Sequence, residues 1–118
     1  MNEALRGVTW VGNSREQVRS FPQAARRIVG EALRFAQQGE KHPKAKPLRG
    51  LSPGVLEIVA RYDTDTYRAV YAVRISETIY VLHAFQKKST RGSRTPKKEI
   101  DLIRQRLNRV RAVERENE

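Results

Sequence analysis

The fold of this chain is decided by residues 55–85, which read VLEIVARYDTDTYRAVYAVRISETIYVLHAF. Val55 to Tyr62 and Tyr67 to Arg74 alternate along their length between two sets of side chains, which predicts two β-strands joined by the polar turn Asp63–Thr66. A second short polar turn leads into a third apolar strand, Ile79 to Phe85. Three strands at hairpin spacing predict a small antiparallel sheet.

The segments before this sheet predict one more strand and two helices. Val8 to Val11 is a short apolar run that indicates a first strand. Ser14, followed three residues later by Gln17, resembles a capping box and predicts that a helix begins there. Pro22 suits the first turn of a second helix, and a basic loop follows over residues 39–53.

A last helix is predicted after the sheet. Thr95 and Pro96 suit its start as capping residue and first-turn proline, and its apolar side chains recur at helical spacing: Ile100, Ile103, Leu107 and Val110. The order β-α-α-β-β-β-α indicates an α+β fold in which helices back the antiparallel sheet. We expect residues 1–118 to form a single domain whose acidic tail frays after about residue 113.

Positive charge is concentrated after the third strand of the hairpins. The chain has a net charge of +11, and residues 83–111 contain ten Lys or Arg against two Asp or Glu, an excess of eight. A field focused in this way suits a polyanion, so nucleic acid is the predicted partner class.

Composition also excludes several classes of protein. There is no cysteine, and two histidines are too few for a convincing zinc site, so we expect no metal and no cofactor. No apolar stretch has the length of a membrane span, and the first residues lack the features of a signal peptide. These observations favour a cytoplasmic protein with no membrane partner.

Three motifs in this order resemble the RelE/ParE superfamily of toxins: KPLRG at residues 46–50, YRAVY at 67–71 and LHAFQKK at 82–88. The last motif, followed by Thr95-Pro96 and Glu99-Ile100, resembles the phage-derived HigB-like branch of type II toxin–antitoxin systems. The resemblance covers roughly residues 8 to 111. It implies a toxin that inhibits translation as a ribosome-dependent mRNA endonuclease, an mRNA interferase.

The resemblance also implies partners. They are a cognate antitoxin, of the helix-turn-helix HigA-like type, the ribosome and mRNA. Operator DNA would be contacted only through the complex with the antitoxin.

Candidate site residues follow by matching motifs. The resemblance implies catalytic roles for Arg68, Arg61, Lys87 and Lys88, whose positive charges could stabilise a phosphorane. RNA contacts are expected from a second set of residues: Lys46, Arg49, Phe85, Arg91, Arg94, Lys97 and Lys98. RelE carries two lysines where this chain has Glu57 and Val59, and a tyrosine near its C-terminus that is absent here. The general acid and base are therefore left open.

Alternatives remain open from the sequence alone. Arg61 and Arg68 could simply pair with Glu57, Asp63 or Asp65, and His83, expected to share a strand face with Val81 and Phe85, suits a hydrogen-bonded core histidine better than a general base. At the level of function, the chain could be a ParE-like inhibitor of DNA gyrase or a non-catalytic nucleic-acid-binding module.

Overall fold

The computed structural model describes residues 5–88 and 94–117. Five strands and three helices follow one another along the chain: β1 Gly7–Trp10, α1 Ser14–Arg19, α2 Gln23–Gln37, β2 Ala45–Pro47, β3 Val55–Tyr62, β4 Asp65–Ile75, β5 Thr78–Lys87 and α3 Lys97–Glu116. The α+β class and the helix-backed sheet predicted from the sequence are confirmed. In these described parts of the chain, no helix combines the length and apolar character needed to cross a membrane.

The strands form one mixed sheet in the order β1-β5-β4-β3-β2. The β3–β4 and β4–β5 hairpins have the predicted antiparallel pairing. The sheet has two further features that were not predicted from the sequence. β1 pairs parallel with β5, and the short strand β2 lies inside the predicted basic loop and pairs antiparallel with β3. Because β2 places Lys46 opposite Glu57, it brings the basic loop against the sheet.

Helices cover both faces of the sheet. On one face, α2 packs its small and branched side chains, including Ala25, Val29 and Ala32, against a core that contains Ile58 and Tyr71. On the other face, α3 packs against side chains that lie between those positions along the strands, and it buries the predicted stripe of Ile103, Leu107 and Val110. The strands β3, β4 and β5 therefore contribute to two apolar layers, as their alternating patterns require.

The two residues predicted to cap helices form hydrogen bonds with the sheet instead. Ser14 begins α1, but its buried hydroxyl donates a hydrogen bond to the carbonyl oxygen of Val81 at 3.0 Å rather than capping the helix. Thr95 lies two residues before the start of α3, and its hydroxyl donates to the carboxylate of Glu57. Both hydroxyls thus join a helix start to the sheet.

The C-terminal part of α3 differs from the expectation that the tail frays after about residue 113. The helix continues to Glu116. The carboxylate of Glu114 accepts hydrogen bonds from the hydroxyls of Tyr80 and Ser76, which attach the last turns of the helix to the β4–β5 hairpin.

A β-bulge interrupts the alternation of β5. Val70 pairs with His83, whereas the next residue of β4, Tyr71, pairs with Val81, so Leu82 is an extra residue. Val81 belongs to the core under α2, while the rings of His83 and Phe85 stack with centroids 5.3 Å apart. The expectation that His83 shares a face with both Val81 and Phe85 is therefore wrong for Val81, because the bulge shifts the register between them.

Candidate nucleic-acid interface

A cleft of about 840 Å³ lies between β2 with its following loop and the segment that leads into α3. Three of the predicted RNA-contact residues, Lys46, Arg49 and Arg94, line it, and all three are exposed. Leu48 and Ile100 add apolar surface. The fold thus brings Arg94 to the same cleft as Lys46 and Arg49, although it lies 45 residues beyond Arg49 in the sequence.

A buried ion pair forms the inner wall of this cleft. The Nη1 of Arg68 donates a hydrogen bond to Oε1 of Glu57 at 3.0 Å, and the two side chains are only 2% and 1% exposed. Thr95 donates to the other oxygen of Glu57 and lies 3.5 Å from Nη1 of Arg68. Both carboxylate oxygens of Glu57 are therefore engaged, and Glu57 and Thr95 both line the cleft.

This pair decides between the two interpretations of Arg68. The implied role of Arg68 in stabilising a phosphorane is wrong for this conformation, since its guanidinium is covered and paired with Glu57. The alternative drawn from the sequence, pairing with an acidic neighbour, is confirmed for this residue. Arg68 holds Glu57 in the cleft wall.

The other predicted catalytic cations lie at one end of the sheet. Arg61 pairs across the hairpin with Thr66, and Thr66 pairs with Lys87, so the three residues form one row over adjacent strands. Arg61 and Lys88 are exposed, whereas Lys87 is half-buried and its Nζ donates to the backbone carbonyl of Arg94. Lys87 thereby fixes a residue that lines the cleft.

The remaining predicted RNA contacts fall in different places. Phe85 is only 7% exposed, so the expectation that its ring stacks on an unpaired base is wrong for this conformation. Lys97 and Lys98 are exposed in the first turn of α3, where Lys97 pairs with Asp101 at 2.7 Å. Arg91 lies outside the described residues.

A second polar cluster lies beside Phe85. Nε2 of His83 is 2.8 Å from Oε1 of Glu99, and Arg106 donates to the carbonyl oxygen of Leu82 at 2.8 Å and to the side chain of Asn13 at 2.9 Å. Burial lowers the pKa of His83 below its usual 6.5, and nearby Arg106 lowers it further, although Glu99 acts in the opposite direction. The interpretation of His83 as a hydrogen-bonded core residue is confirmed.

Glu57 and Thr95 were not among the site residues expected from the sequence. A signal for Glu57 does exist. The turn at residues 63–64 sets the hairpin register, in which Val59 pairs with Arg68 and Glu57 with Val70. Glu57 and Arg68 are therefore diagonal neighbours on one face of two strands, within reach of long side chains.

Comparison with known proteins supports the fold that the motifs indicated and gives a phage-derived family. The family model described as "Phage derived protein Gp49-like (DUF891)" matches residues 16–108. A mutant of the Escherichia coli toxin RelE in the free state is similar over 89% of this chain and 97% of that one, with 16% identity and a TM-score of 0.56. At this identity the likeness confirms a RelE-like fold.

A weaker likeness exists to the toxin–antitoxin complex RelBE2 from Mycobacterium tuberculosis. It covers 75% of this chain and 98% of that one, with 22% identity and a TM-score of 0.41. No curated protein matches the chain.

The buried pair predicts a large loss of stability when one partner is removed. Arg68→Ala should lower the free energy of unfolding by about 3–5 kcal/mol, because it leaves the carboxylate of Glu57 buried without its counter-charge. The double variant Glu57→Leu/Arg68→Met should be close to wild type, since it removes both charges. Urea denaturation followed by circular dichroism measures each value, with the exposed Arg61→Ala as a control expected within about 0.5 kcal/mol of wild type. A wild-type midpoint for Arg68→Ala would contradict the pairing.

The lowered pKa of His83 predicts how stability depends on pH. The unfolded chain takes up a proton at this histidine near its usual pKa of about 6.5, whereas the folded chain resists protonation until lower pH. The stability of the protein relative to His83→Gln should therefore fall as the pH drops below about 6.5. Both proteins are measured by denaturant unfolding at pH 8, 6 and 5 in a His42→Gln background, which leaves His83 as the single histidine. A relative stability that rises on acidification would show that Glu99 outweighs burial.

Proposed function

Because this chain belongs to the phage-derived Gp49-like family and has a RelE-like fold, we propose that it is the toxin of a type II toxin–antitoxin system and cuts mRNA on the ribosome. The observation that carries the proposal is the cleft in which Lys46, Arg49 and Arg94 surround the wall formed by Glu57 and Thr95. Its volume of about 840 Å³ lies in the range of pockets that hold small organic ligands, so a nucleotide fits.

The cleft contains groups suited to cleavage of an RNA backbone by its own 2′-hydroxyl. In this reaction the 2′-oxygen loses its proton and attacks the phosphorus, the bond to the 5′-oxygen breaks, and the leaving oxygen takes up a proton. Negative charge grows on the phosphoryl oxygens in the transition state, and cationic side chains fixed around them stabilise it. We assign this role to Lys46, Arg49 and Arg94.

Glu57 is the carboxylate in the cleft wall, and because it is buried with both oxygens engaged, we assign it to holding Thr95 in place and not to taking the proton of the 2′-hydroxyl. Arg68 would act through Glu57, because its hydrogen bond sets the direction of the carboxylate that accepts from Thr95. Lys87 would act through Arg94, whose carbonyl oxygen it contacts. Arg61 and Lys88, at the same end of the sheet, would bind phosphates that flank the cleavage site.

A toxin of this kind needs an inhibitor in the same cell. We propose that a cognate helix-turn-helix antitoxin of the HigA-like type binds this chain, and that the complex contacts operator DNA through the antitoxin. The proposal rests on the family and on the excess of positive charge, which an acidic partner would neutralise.

The proposed nuclease activity is tested with Lys46→Ala/Arg49→Ala. Both side chains are exposed, so stability should change little, but the rate of mRNA cleavage should fall by about 10²–10³ because the phosphorane loses its charge stabilisation. The measurement is primer extension on mRNA from cells that express each protein, beside growth curves. The matched control is Arg26→Ala/Arg27→Ala, which removes two exposed charges from α2 on the opposite face.

Wild type and control should arrest growth and produce discrete cuts inside translated codons, while the cleft variant should do neither. Cleavage by the cleft variant at the wild-type rate would contradict the assignment of the site. Growth arrest with intact transcripts and damaged chromosomal DNA would instead identify a gyrase inhibitor.

A further inference from the structure

A second cavity, of about 530 Å³, lies at the other end of α3, between its last turns and the β4–β5 hairpin. Three arginines line it, Arg74, Arg111 and Arg115, against one carboxylate, Glu114, which leaves a charge of +2. Glu114 accepts hydrogen bonds from Tyr80 and Ser76 of the hairpin, so its carboxylate already has partners within the protein.

Two of these arginines are available to a ligand. Arg111 donates a hydrogen bond to the hydroxyl of Ser52 at 2.6 Å, but the side chains of Arg74 and Arg115 make no hydrogen bond or ion pair within residues 5–88 and 94–117, and both residues are exposed. Arg74 also has a φ of 70°, a conformation that residues with side chains rarely adopt. This conformation lies in the register shift between Ala72 and Ile75 of the β4–β5 pairing.

The loop that follows β2 links the first cleft to the second cavity along one side of α3. Arg104 donates to the carbonyl oxygen of Gly50, a residue that also lines the cleft, at 2.9 Å. Arg111 reaches Ser52 in the same loop, and the side chain of Arg74 lies close to the Cα of Gly54. The loop and α3 therefore run side by side from one cavity to the other.

The spacing of the arginines fits this path. Arg104, Arg111 and Arg115 are seven and four residues apart, so they lie on the same side of the helix. From Ile100, in the first cleft, to Arg111, in the second cavity, the helix rises about 16 Å. This length corresponds to several phosphates of an RNA strand.

We propose that this arginine groove, formed by Arg74, Arg104, Arg111 and Arg115, binds the phosphate backbone of RNA that extends beyond the cleft. The inference rests on the proposed function, because it places the cleaved strand in the first cleft. Guanidinium groups suit this ligand, since they form paired hydrogen bonds with phosphate oxygens and remain charged. The RNA is either the flanking mRNA or ribosomal RNA, which share this backbone.

The test compares Arg74→Gln/Arg115→Gln with Arg26→Gln/Arg27→Gln, which removes the same number of charges from α2. Binding to a fluorescein-labelled 12-nucleotide single-stranded RNA, and separately to a 12-base-pair RNA duplex, is followed by fluorescence anisotropy from 50 to 300 mM salt. Each lost phosphate contact reduces the slope of log Kd against log salt by about 0.7 for a single strand and 0.9 for a duplex, by analogy with DNA. The slope of the groove variant should therefore be smaller by about 1.4 with the single strand or by about 1.8 with the duplex, whereas the control should keep the wild-type slope.

The pattern of losses identifies the source of the RNA. A reduced slope with the single strand indicates mRNA, a reduced slope with the duplex alone indicates ribosomal RNA, and either supports the groove. Equal changes in both variants, or no change in the groove variant, would overturn the proposal, as would a loss of antitoxin binding with RNA binding intact. Primer extension with the wild type tests the nuclease activity separately. A protein that binds RNA through the groove but never cuts mRNA would contradict the proposed function and leave the groove supported.

Discussion

The ion pair between Glu57 and Arg68 is the constraint on which the arrangement of the candidate site depends. Two opposite charges with exposures of 1% and 2% join β3 to β4, and Thr95 extends the contact to the segment before α3. A buried pair gains little net stability over apolar side chains, because removing both charges from water is costly. The pair instead fixes the geometry of the site, because any arrangement that leaves one of the two charges buried and unpaired is strongly disfavoured. The start of α3, and with it the cleft, is held in place by this requirement.

Burial and hydrogen bonding divide the cations of the candidate site into two groups. Arg68 and Lys87 contact protein oxygens and hold other groups of the cleft, whereas Lys46, Arg49 and Arg94 are exposed towards it. A net charge of +11 alone would have suggested that all of them meet RNA. Burial and hydrogen bonding distinguish the residues that shape the site from those that can touch a phosphate. The arginines along α3 extend the exposed group beyond the cleft.

Periodicity predicted the parts of the fold in which side chains alternate regularly. The hairpins of residues 55–85 and the buried stripe of α3 follow directly from it. The strand β2 could not be predicted in this way, because it has three residues and ends at Pro47. The parallel pairing of β1 with β5 and the bulge at Leu82 depend on contacts distant in sequence. Lys46, Arg49 and Arg94 were predicted as RNA contacts and lie together. The burial of Arg68 could not be predicted from the alternating pattern of the strands, because it depends on Thr95 and α3, which lie outside them.

The central claim is that the cleft beside the Glu57–Arg68 pair receives an RNA strand. The most direct measurement is the change in backbone amide chemical shifts of the isotope-labelled protein on addition of a short RNA with 2′-O-methyl sugars, which cannot undergo attack by a 2′-oxygen. The largest changes should occur at residues 46–50 and 94–100, with those of α2 nearly unchanged. Changes concentrated in α2, or none near the cleft at RNA concentrations that saturate binding, would contradict the account.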